Sequence, residues 1–135
     1  MQNQELIEVA KSLVGKISLS DGVNSAGTVG AALLTANNNI YSGICLDYVC
    51  SLGFCPKGYR FAYAEHAAVA EMLKHRETKI LKIVAVSKEK ILPPCGRCRE
   101  LILLTDLSNR NTEIIITERQ TIKLSNLLPF HRLES

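Results

Sequence analysis

The chain has 135 residues, enough for one core and too few for two. Hydrophobic residues make up 47% and charged residues 21%, which excludes a disordered or low-complexity tail. A net charge of +3, spread evenly, is too weak for a nucleic-acid surface, and no apolar run is long enough to span a bilayer.

The polar, acidic start Met1-Gln2-Asn3-Gln4-Glu5 lacks the basic-then-apolar order of a secretory signal. The expected compartment is therefore the reducing cytoplasm, with no membrane and no nucleic-acid partner. In that setting five cysteines point to metal or redox chemistry rather than to a disulfide scaffold. Residues 4–16 place Leu6, Ile7, Val9, Ala10, Leu13 and Val14 at spacings of three and four, which predicts an amphipathic helix closed by Gly15. Residues 19–27, rich in Ser, Asp, Asn and Gly, read as a loop. Residues 28–34 and 40–45 are apolar runs around Asn37-Asn38-Asn39, the pattern of a β-hairpin.

Residues 46–63 show no period and crowd together two Cys, two Gly and a Pro, which predicts a long functional loop. Residues 64–76 are Ala-rich, acidic at the start and basic at the end, as a helix prefers. Residues 79–86 read as a strand stopped by Leu92-Pro93-Pro94, and residues 95–105 as a helix. Residues 113–117 form an Ile-rich strand, and residues 121–123 a short last strand. Strands alternating with helices predict an α/β fold layered around a mixed sheet.

The segment Pro94-Cys95-Gly96-Arg97-Cys98-Arg99 carries the most chemistry. Two cysteines three apart at a helix start put both sulfurs on one side of its first turn. Unpaired N–H groups there favour thiolates, and such a pair suits zinc. A pair of buried core thiols and a thioredoxin-like redox pair are the rival readings. The redox reading is weakened by the late position of the motif and by the absence of Trp. Glu65 starts the preceding helix. A carboxylate facing a metal across two helix tips is what hydrolysis by a metal-activated water requires.

These residues resemble the zinc-dependent cytidine deaminases. Residues 94–99 match the family's PCxxCR motif, and Ala64-Glu65-His66-Ala67-Ala68 is similar to the second part of its Cys-Ala-Glu motif. Val29-Gly30-Ala31-Ala32-Leu33 is similar to its first strand, Ser42–Asp47 to its second, and Leu127-Leu128-Pro129-Phe130 to its C-terminal segment. Blasticidin-S deaminase carries a similar PCGRCR run. The resemblance implies one domain over residues 1–135, built as a three-layer α/β/α sandwich on a five-stranded mixed sheet. It implies a homotetramer, or at least a homo-oligomer, whose neighbouring subunits complete the active sites. It also implies hydrolytic deamination of a cytidine-like nucleoside or related aminopyrimidine with release of ammonia. Glu65 would be the catalytic acid–base. Zinc would sit on Cys95, Cys98 and a third donor.

The family's third zinc ligand stands two residues before the Glu, where this chain has Tyr63. Gly53-Phe54-Cys55 stands just upstream, so residues 56–63 read as an insertion. Three readings of the third donor stay open: Cys55, Tyr63, or a substitute from His66 or Cys50. The family's ribose-binding Asn-x-Glu corresponds to Cys45-Leu46-Asp47, which implies a substrate-binding role for Cys45 and Asp47. A buried Cys45 without a ligand role is the plainer alternative. The family's first-strand Phe aligns with Gly27. The alternative function is an inactive oligomeric scaffold whose metal site the insertion has disrupted. His75-Arg76-Glu77 is a literal His-x-Glu at a helix C-terminus, where carbonyls point outward, and is expected to be a decoy.

Overall fold

The computed structural model describes residues 3–48 and 63–131. In chain order these form helix α1 (Asn3–Ser12) and strands β1 (Ile17–Ser18), β2 (Ser25–Thr35) and β3 (Ile40–Asp47). Helix α2 (Ala64–Lys74), strand β4 (Ile80–Ser87), helix α3 (Gly96–Thr105) and a short 3-10 helix (Leu107–Asn111) follow. Strands β5 (Glu113–Ile115) and β6 (Thr121–Lys123) and helix α4 (Leu124–Leu127) end the described chain.

The sheet has six strands rather than the expected five. The extra one is the two-residue β1, which pairs with the first residues of β2 where a loop was expected. Ala26 pairs with Ile17 of β1 and with Leu46 of β3, so β1 and β3 lie on opposite sides of β2. From β2 the ladder runs antiparallel to β4, parallel to β5, then antiparallel to β6. Helix α1 stops at Ser12, short of the predicted end, and Gly15 instead donates its N–H to Gly27 O at 2.9 Å. Gly27 has φ +86°, and a Cβ there would land on the Gly15 carbonyl. No aromatic fits at that position.

Alternation along each strand builds two cores. On one face Leu6, Ile7 and Ala10 of α1 pack on Ala32, Leu34, Val84, Val86 and Ile115. On the other, Ala64, Ala68, Val69 and Met72 of α2 and Ile102 and Leu103 of α3 pack on Val29, Ala31, Leu33, Ile83, Ala85 and Ile114. Leu124 of α4 joins the second core. The result is helix, sheet, helix in three layers, as expected.

The start of α2 is set low on the sheet by one close approach. Gly43 of β3 lies against the helix, and a Cβ there would land on Ala67 Cβ and 2.7 Å from Ala68 N. Only glycine permits this distance between the two backbones.

Candidate active site

Helices α2 and α3 both begin on the same face of the sheet. Tyr63 is the N-cap of α2, with extended backbone, and its carbonyl accepts from His66 N at 3.1 Å. Glu65 therefore falls in the first turn of α2, beside the unpaired N–H groups and the positive end of the dipole. Its side chain is 5% exposed. Ile83 and Ala85 of β4 and Leu92 and Pro94 line the same small hollow as Glu65.

Cys95 mirrors Tyr63 as the N-cap of α3, and Cys98 stands one turn further in. Cys98 is fully buried and Cys95 is exposed. Their sulfurs are 3.7 Å apart. Two sulfurs at about 2.3 Å from a tetrahedral zinc are separated by about 3.8 Å, so the pair already has the bite that one metal ion needs.

Glu65 meets this pair. Burial pushes the Cys98 thiol far up. The Glu65 carboxylate raises it next by its charge, followed by Cys95. Three groups that resist one another's negative charge are thus gathered at the tips of two helices. A bound cation inverts that balance, since it favours both thiolates and carboxylate together. The two sulfurs therefore suit zinc as part of a donor set. Among the described residues no cluster of three or more His, Cys, Asp or Glu is placed to hold a metal, so these residues supply two sulfurs. Cys55 and Cys50 lie outside the described residues, as does most of the expected insertion.

The other two candidates for the third donor are described. The Tyr63 ring packs edge-on against the His66 ring, with centroids 5.6 Å apart. His66 Nε2 is enclosed without a hydrogen-bond partner among the described residues. Burial lowers the His66 pKa, with a further contribution from the charge of Arg97. His66 and Arg97 line a groove of about 680 Å³ between α2 and α3, together with Leu73, Glu100 and Leu104. Neither Glu65 nor either thiol lines that groove.

Cys45 and Asp47 are tied together at the end of β3. Thr28 Oγ1 donates to Asp47 Oδ2 at 2.7 Å and lies 3.2 Å from Cys45 Sγ. Val29 N donates to Cys45 Sγ at 3.3 Å, and that thiol donates to Asp47 Oδ2 at 3.4 Å. Cys45 is fully buried in the core, while Asp47 is half-buried.

Sequence reasoning missed Arg99. Its Nε donates to Pro94 O at 2.8 Å and its Nη1 to Leu127 O at 3.1 Å. The motif contains the arginine, but nothing in the sequence links it to a carbonyl 28 positions away.

No protein-family model matches the chain. Solved structures do. The cytidine deaminase of Mycobacterium tuberculosis superposes with a TM-score of 0.73 at 24% identity, over 96% of this chain and 95% of that one. That of Burkholderia pseudomallei gives 0.70 at 25% identity, over 96% and 98%. That of Bacillus anthracis gives 0.70 at 22% identity, over 98% and 90%. This chain has the cytidine deaminase fold. The resemblance that its motifs carry thus extends over nearly its whole length. Within the cytidine deaminase fold, the thiol pair and Glu65 stand at the facing starts of two helices on one side of the sheet.

Proposed function

We propose that this protein is a zinc-dependent hydrolytic deaminase acting on a cytidine-like nucleoside or a related aminopyrimidine. The observation that carries the reading is Glu65, buried in the first turn of α2 and near enough for its charge to raise the Cys98 thiol, beside two sulfurs spaced for one metal ion. Cys95 and Cys98 would hold zinc with Cys55 as third donor, and the zinc supplies a Lewis acid that lowers the pKa of a water molecule. The reaction replaces the ring amine by oxygen: water adds at the amine-bearing carbon, the C–N bond breaks, and ammonia leaves.

Glu65 does the proton work. Its carboxylate takes a proton from the attacking water and returns it to the departing nitrogen. Its burial keeps bulk water from competing for that proton. Asp47 accepts a hydrogen bond from the substrate, and Cys45, which is fully buried, contributes by holding Asp47. In the same proposal residues 1–135 form one domain with an insertion at 56–63. The protein works in the cytoplasm as a homo-oligomer, a tetramer or a dimer.

Glu65→Gln tests the reading. Purified wild type is expected to carry about one zinc per chain by elemental analysis and to release ammonia from cytidine or a simple aminopyrimidine. The variant should keep its zinc and lose activity by at least ~100-fold. Undiminished turnover in the variant would falsify the mechanism. A wild type without zinc or activity would leave the inactive scaffold as the better description.

A further inference from the structure

We infer that Arg99 is a positioning residue for the metal-binding thiols, and that helix α4 is its second anchor. The inference rests on the reading of Cys95 and Cys98 as zinc ligands. The two sulfurs are supported very differently. Cys98 is enclosed by the core, but Cys95 is exposed among the described residues. The loop before Cys95 also lacks backbone donors, because Pro93 and Pro94 have no N–H. Its last backbone tie upstream is Leu92 N to Ala85 O at 2.8 Å.

Arg99 supplies what the loop lacks. The Pro94 carbonyl belongs to the peptide group that leads into Cys95. Holding that oxygen at 2.8 Å from Nε fixes the peptide plane, and with it the position of the Cys95 backbone from which the thiol projects. The guanidinium is in turn held by its bond to Leu127 O, one of the orphan carbonyls at the C-terminus of α4. Arg is always charged, and its planar fork serves two acceptors in fixed directions. Lysine concentrates its donors on one atom. The end of α4, 32 positions after Cys95 in the chain, thereby becomes part of the metal site.

Zinc affinity measured by competition with a chromophoric chelator tests this without reference to activity. Arg99→Ala is expected to raise the zinc Kd by about 10- to 100-fold, the usual cost of losing an outer-shell partner. Its circular dichroism in the metal-free state should match wild type. Arg99→Lys should lose less, about tenfold, because it reaches one carbonyl but not both. Wild-type affinity in folded Arg99→Ala overturns the inference. Where Arg99→Ala does not fold, Arg99→Lys decides: a weakened Kd supports the role and an unchanged one removes it. A wild-type chain that binds no zinc brings down the metal site itself and this inference with it. Tight wild-type binding with unchanged variants removes the Arg99 role alone.

Discussion

Glu77 shows how much a single residue can hide from a pattern. It lies in the His75-Arg76-Glu77 triplet just past the end of α2, and it works as a structural latch. Tyr41 OH donates to Glu77 Oε2 at 2.6 Å and Asn39 Nδ2 at 2.8 Å, so the carboxylate ties α2 to the β2–β3 hairpin. The bond to Tyr41, followed by one to Thr35, holds the Glu77 pKa down to about 2. The same bond raises Tyr41 to about 12. The signs set a window. The Glu77 contribution is complete above the unfolded carboxylate value of about 4.5 and fades as pH falls toward 2. The Tyr41 contribution fades as pH rises from about 10 toward 12. Glu77→Gln should therefore lower the urea midpoint at about pH 7 and lose less further stability than wild type between about pH 5 and 2. Parallel acid curves for the two proteins would show that the latch contributes nothing. Residue-level chemistry was only half legible in the sequence. Cys95, Cys98 and Glu65 stand in local motifs, while Tyr41–Glu77 and Arg99–Leu127 join positions far apart in the chain, where spacing carries no signal.

At the scale of elements, the long periodic segments and the short strands β5 and β6 were legible, while β1 and α4 were not. Helices α2 and α3 and strands β2, β3 and β4 announce themselves by runs of apolar residues at their own period. Strand β1 has two residues and α4 has four, too few to show any period. They exist because tertiary partners hold them: β2 for β1, and for α4 the core around Leu124. The height of α2 above the sheet was equally invisible, since it depends on a missing side chain at Gly43. That height places Glu65. Gly43→Ala should force α2 outward, at a cost of about 1–3 kcal/mol in a denaturation experiment. Because a shift of about 1 Å at a reacting centre can cost ~100-fold in rate, its deaminase activity should fall out of proportion to the folded fraction. An alanine variant as stable and active as wild type would mean that α2 does not depend on this contact.

On the scale of the whole molecule, the deciding question is how the chain before α2 meets the two helix tips. In the described residues the site consists of two thiols and a carboxylate, and zinc in structural and catalytic proteins takes at least three protein donors. Position 63, where the resemblance calls for a cysteine, holds a tyrosine whose ring is turned to His66. Tyrosine ionises near about pH 10 and is a poor zinc donor at neutral pH, whereas a thiol beside a cation ionises readily. Closing a loop of about eight residues costs only a few kcal/mol, against roughly 10–16 kcal/mol of binding free energy for a complete structural zinc site. In the proposed function the third donor is therefore Cys55. Cys55→Ser should then weaken zinc binding by several orders of magnitude, while Tyr63→Phe leaves it within a few-fold of wild type. A chain lacking residues 56–63, in which Cys55 adjoins Ala64-Glu65, should keep its zinc and stay folded. If Tyr63→Phe loses the metal and Cys55→Ser retains it, the phenol is the donor and the inserted segment displaces the cysteine from the site.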